Sequence, residues 1–114
     1  MKNFTVEFYL SDSEYLTALR LVAGAVCSVA DIDVDALEDF KVCVTESANI
    51  LRNCGFERVR AEFNIKKSVG VTLTGLDGEP KKGDSELSLA LIGALVEFTI
   101  SEKKGIIDRI TLTI

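Results

Sequence analysis

A chain of 114 residues with 47% hydrophobic residues, one proline and eight glycines is sized for a single core and is not low-complexity. Its formal charge of −5 works against nucleic acid as a partner, because that affinity rests on Lys and Arg neutralising phosphates. With no histidine anywhere, Ser/His and Cys/His nucleophiles and His-containing metal sites are excluded, and any base must be a carboxylate, or a lysine or tyrosine of shifted pKa.

Cys27, Cys43 and Cys54 are odd in number and lack CxxC spacing, so they read as small buried thiols rather than a disulfide framework or a zinc knuckle. The most apolar segments, "LRLVAGAVCSVA" and "LSLALIGALVEF", each run about a dozen residues, short of the roughly 20 that cross a bilayer. Both read as buried helices, and no membrane partner is expected. The opening "MKNFTVEFYL" alternates apolar with polar residues and lacks the layout of a signal peptide, so a cytoplasmic location is expected.

In chain order, Phe4, Val6 and Phe8 alternate with Thr5, Glu7 and Tyr9 and predict a strand. Ser11 and Glu14 carry the spacing of a capping box, behind which Tyr15, Leu16, Leu19, Val22, Ala23 and Val26 predict a helix to about Val29. Asp33 or Asp35 can cap a second helix whose packed side holds Ala36, Leu37, Phe40, Val44, Ser47, Ala48 and Leu51, with Gly55 as its left-handed terminator. On that helix Asp39, Glu46, Asn49 and Asn53 lie away from the packed side, as either a catalytic stripe or a solvated face.

From Val59 the period becomes two, giving a hairpin through "KKSVG" that continues over Val71 and Leu73. "GLDGEPKKGD" reads as a loop. Asp84 or Ser85 then caps a third helix, apolar on nearly every side and so expected to be nearly all buried. "FTIS", the turn "EKKG" and "IIDRITLTI" close the chain as a second hairpin. The order β-α-α-β-β-α-β-β predicts an α+β two-layer sandwich, residues 1–114 as one domain, with helices on one face of a mixed, mostly antiparallel sheet.

At this point the chain resembles the histidine-kinase-like (GHKL) ATPase fold, in the short form of bacterial anti-sigma factors that are serine kinases. "KVCVTESANILRNCG" resembles that family's first nucleotide-site helix, "VTLT" runs toward an aspartate at Asp77, and "LALIGALVEFTI" with "GIIDRITLTI" resembles its closing helix and hairpin. The resemblance implies Glu46 as the residue acting on the attacking hydroxyl or water, Asp77 on the adenine amino group with Gly78 beside it, and ATP with Mg²⁺ as cofactors. The family's magnesium-binding asparagine falls on Ile50, which offers no oxygen ligand, so Asn49 or Asn53 would have to substitute.

Other family positions also depart. Glu79, Pro80 and Lys81 follow Gly78 where the family pattern returns to glycine, and Glu86 and Ser88 stand where glycines would free backbone N–H groups for phosphate. Only Gly78 to Glu86 separate Asp77 from Leu87, too short for the family's ATP lid, and Ile106 and Ile107 replace its hairpin threonines. These departures point to an anti-sigma-factor-like, protein-binding regulatory module with weak or lost ATP binding. Its implied partner is a sigma factor or an anti-sigma-factor antagonist, and a homodimer through the first strand and helix is also implied. The alternatives are an active ATP-dependent serine protein kinase using Glu46, Asn49 or Asn53, and Asp77, and an unrelated two-layer sandwich acting as a binding module.

Overall fold

The computed structural model describes residues 3–66 and 68–114. The elements are β1 (Asn3–Tyr9), α1 (Glu14–Val29), α2 (Val34–Asn53), β2 (Arg58–Ile65), β3 (Val69–Leu76), α3 (Glu86–Leu95), β4 (Glu97–Lys103) and β5 (Ile106–Thr113). The order is the β-α-α-β-β-α-β-β that the periodicities predict, and the molecule is an α+β two-layer sandwich.

The sheet runs β1-β2-β3-β5-β4, and every neighbouring pair is antiparallel, so the parallel component expected of a mixed sheet does not occur between described neighbours. The reason lies in the crossover. α3 carries the chain from β3 past one strand position to the sheet edge, where β4 forms; the tight β4–β5 hairpin then returns β5 into the gap beside β3. β3 and β4 run parallel but never touch. That hairpin turns on Lys104 and Gly105, with φ of 55° and 78°, the pair of left-handed residues a two-residue turn of matching twist requires. At Ser101/Glu102 the register slips, leaving Asp108 as an extra residue on β5 while β4 stays continuous.

Period-two patterning decides which face is covered. Val59, Ala61, Phe63, Val69, Val71, Leu73, Ile110 and Leu112 are buried against the helices, in one cluster with Leu19, Ala23, Phe40, Val44, Leu51 and Ile92. Arg58, Arg60, Glu62, Thr72 and Thr111 alternate with them onto the uncovered face, where Thr72 and Thr111 are bonded through their hydroxyls at 3.2 Å.

The helix ends follow local chemistry, with one difference from expectation. Asp33 caps α2, its Oδ1 accepting from the Ala36 N–H at 2.9 Å, and Gly55, at φ 87°, donates to the Arg52 carbonyl just past the helix. The Ser11/Glu14 capping box does not form, because α1 begins at Glu14 and leaves Ser11 outside; the Glu14 N–H is instead directed at Asp12 Oδ1, 3.4 Å away. α3 starts in the same manner, its Glu86 N–H 3.4 Å from Asp84 Oδ1.

α3 also departs in burial. Only Ile92 is fully buried; Leu87 is 85% exposed, and Leu91 and Leu95 also lie at the surface. The helix rests on α2 along one flank and over the edge strand β4, and nothing in the described chain covers its outer side. Of the expected "KKSVG" turn, Lys67 lies outside the described residues. No described helix is long and apolar enough to cross a membrane.

Candidate functional site

The polar stripe of α2 is divided between its two neighbouring helices. Glu46 is half-buried, and its Oε2 accepts a hydrogen bond from Ser88 Oγ on α3 at 3.0 Å. Asn49, one turn on, faces the other way: its Oδ1 accepts from the Tyr15 hydroxyl of α1 at 3.0 Å. Thr45 repeats that link, accepting from Arg20 Nε at 3.0 Å while donating to the Lys41 carbonyl at 2.9 Å. Asn53 is exposed at the end of the helix, and Ile50 is buried in the core, 1% exposed.

Asp77 stands apart from this group. It sits at the end of β3 in a left-handed conformation, φ 57°, and its Oδ2 accepts from Arg58 Nε at 2.7 Å. Arg58 also donates through Nη1 to Glu7 Oε1 at 2.6 Å, and Arg60 Nε donates to Glu7 Oε2 at 3.1 Å. The hydrogen bond from Arg60, with the two guanidinium charges, holds the Glu7 carboxyl below its ordinary range, and the Asp77 bond raises Arg58. This charged cluster lies on the uncovered face of the sheet, whereas Glu46 and Asn49 lie in the helix layer. The two carboxylates that the sequence singles out therefore do not wall one cleft.

Gly78 is held by backbone crowding. At φ 78°, a Cβ there would lie 2.3 Å from the Gly55 carbonyl oxygen and 2.9 Å from the Glu57 nitrogen. The loop beyond it is tied to the C-terminal end of α2, with the Glu79 N–H donating to the Gly55 carbonyl at 3.1 Å and the Lys81 N–H to the Cys54 carbonyl at 2.8 Å. Past these ties, an open cavity of about 420 Å³ is bounded by Lys82, Ser85 and Glu86, by Cys54, and by Ile100, Glu102 and Ile106 of the last hairpin.

As arranged, these groups do not form a magnesium–nucleotide donor set. Glu46 and Asn49 are bonded to different helices, Ile50 is turned into the core, Asp77 is paired on the other layer, and Glu86 and Glu102 bring negative charge to the cavity. Four partners were not legible in sequence. Ser88, Arg58, Arg20 and Tyr15 each complete a contact between elements distant along the chain, and the pairing of Glu7 with Arg60, fifty-three positions apart, was equally invisible.

Cys27 and Cys43 are fully buried and free. Burial pushes both thiols up to about 11, with the charges of Asp39 and Glu46 adding to the effect at Cys43. They are packing residues and are not poised as nucleophiles.

The chain matches no family model, and no curated protein matches it significantly.

Proposed function

We propose that this protein is a cytoplasmic, anti-sigma-factor-like regulatory module that works by binding another protein, with ATP binding weak or lost. The observation that carries the reading is the outer surface of α3. Leu87 and Leu91 stand in water beside Ala90, and with Ser88 and Glu46 they line a shallow groove that is largely apolar. Singly exposed apolar residues are ordinary, but a ten-residue helix with most of its apolar residues at the surface marks a contact surface. Glu46 borders this groove with negative charge, and Asp39 lies farther along beside Leu95. The partner it fits is an amphipathic helix whose apolar residues are flanked by Lys and Arg, presented by a sigma factor or an anti-sigma-factor antagonist.

The bond from Ser88 to Glu46 Oε2 fits the same reading, since it gives the carboxylate a part in joining α3 to α2. Two measurements test it. Mg-ATP at millimolar concentration is expected to leave the melting temperature of wild type and Glu46→Ala alike unchanged. Binding at one hundred times the dissociation constant would add about 2.7 kcal/mol, so a rise in either protein would show that ATP binding is retained and would favour the serine-kinase alternative. In the second, purified sigma factors and their antagonists are titrated against wild type and Leu87→Asp. Binding weakened at least about tenfold by the substitution, a loss of about 1.4 kcal/mol, is expected, and equal affinities would reject the surface.

A further inference from the structure

Among the described residues β4 is an edge strand: it pairs with β5 on one side, and its other side offers backbone N–H and C=O groups beside the edge-facing flank of α3. Natural edges are usually blunted by a bulge, a proline or charges that repel a second strand. Here the register slip falls on β5, so β4 stays straight from Glu97 to Lys103, and it contains no proline.

We infer that β4 pairs antiparallel with β4 of a second copy of this chain about a two-fold axis through Ile100, joining two five-stranded sheets into one. The register follows from the positions of opposite charge. Antiparallel self-pairing centred on Ile100 sets Glu97 opposite the partner's Lys103, Phe98 opposite the partner's Glu102, Thr99 opposite the partner's Ser101, and Ile100 opposite itself, so the two charge pairs on the uncovered face must outweigh Glu102 meeting an aromatic ring on the other. Glu97 and Lys103 alternate onto the uncovered face with Thr99 and Ser101, so each copy meets the other with two ion pairs on that face, and the symmetry makes both attractive. Phe98, Ile100 and Glu102 point to the helix side, and Ile100, 37% exposed in the single chain, lies over the axis. There it would be covered by its own copy and by Leu89, which already borders the same cavity.

The helix layer closes consistently. The aromatic ring of Phe98 lies beneath Gly93, where a Cβ would stand 3.1 Å from Cε1, so α3 sits directly above the edge strand. Joining the two edges at the strand spacing of about 4.8 Å brings α3 and the partner's α3 into direct contact across the axis. The alternative edge is β1, where self-pairing about Val6 would match Thr5 with Glu7 and bring no opposite charges together among its described residues; Glu7 is moreover occupied by Arg58 and Arg60. The inference does not depend on the regulatory reading, which uses the groove of Glu46, Leu87, Ser88, Ala90 and Leu91 and not the strand edge.

The test is sedimentation equilibrium of the full chain from about 5 to 200 μM at low and high salt. Wild type is expected to dimerise, more weakly at high salt because the pairs are exposed. Glu97→Lys places like charges opposite each other twice and is expected to raise the dissociation constant at least about tenfold. The double exchange, Glu97→Lys with Lys103→Glu, is expected to restore it to within about threefold, although Lys103 then no longer faces Asp108, which lies 3.8 Å away in the single chain. Melting curves verify that each variant is folded. A wild type that stays monomeric at 200 μM overturns the inference. So does a dimer indifferent to Glu97→Lys, and so does a double exchange that fails to recover association.

Discussion

Ser88 Oγ on α3 donates to Glu46 Oε2 on α2 across 3.0 Å, so the carboxylate at the centre of the polar stripe serves as the tie between two helices. The bond is partly buried and assisted by charge, which sets its worth at about 1–2 kcal/mol. Ser88→Ala is expected to lower stability by that amount in urea unfolding, and Glu46→Ala by a similar amount. The double variant should cost less than the sum of the two, by roughly 1 kcal/mol, because both substitutions remove the same interaction. Strict additivity would mean that the two side chains are not coupled.

The layout of the fold was legible because it depends on local signals. Period-two runs at Phe4–Phe8 and Val59–Ile65, the Asp33 cap and the Gly55 terminator each write their element within a few residues. What could not be read were contacts between elements. Nothing local tells that Asp77 is bonded to Arg58, nineteen positions back, or that Asn49 turns to Tyr15 and not to Glu46. The exposure of α3 has a different cause. An apolar helix is expected to be buried, but its sequence does not say whether the covering group belongs to the same chain, and here the described chain supplies cover on α3's inner side alone.

Tyr15 donates to Asn49 Oδ1 from a buried position, fixing α1 on α2 together with the Arg20–Thr45 bond. Removing the hydroxyl in Tyr15→Phe is expected to cost about 1 kcal/mol, since the half-buried amide oxygen retains some access to water. Burial raises the Tyr15 pKa, and nearby Arg52 only partly offsets it. Spectrophotometric titration of the native protein should therefore show this phenol ionising above the ordinary tyrosine range of about 10, and a Tyr15→Phe difference titration isolates it.

Two glycines are expected to respond to alanine with opposite signs. Gly78→Ala places a methyl group against the Gly55 carbonyl oxygen at a backbone φ of 78°, and should destabilise by at least about 2 kcal/mol. Gly24 lies within α1 with only Lys41 Cδ near, at 3.7 Å, so Gly24→Ala should stabilise by about 0.5–1 kcal/mol through helix propensity. Thermal or urea denaturation measures both. A neutral Gly78→Ala would show that the loop does not need its close approach to the end of α2.

Alkaline stability is expected to be set in large part by Cys27 and Cys43. Both thiols are held protonated in the folded protein, up to about 11 against an ordinary value of 9.0, because the core does not solvate a thiolate. The unfolded chain releases these protons near pH 9 and the native chain does not, so between pH 9 and 11 the unfolded state binds fewer protons and stability falls as pH rises. The slope is about 1.4 kcal/mol per pH unit for each thiol, or about 3 kcal/mol per thiol over the full window, and below pH 9 the contribution is fully present. Lysine and tyrosine titrate in the same range, so the comparison that isolates the effect is Cys27→Ala/Cys43→Ala. The double variant begins less stable at pH 8 because it leaves small cavities, yet it should lose less stability than wild type by pH 10.5. Urea midpoints at the two pH values decide the matter: parallel declines in the two proteins would show that the thiols ionise in the folded state as readily as in the unfolded chain.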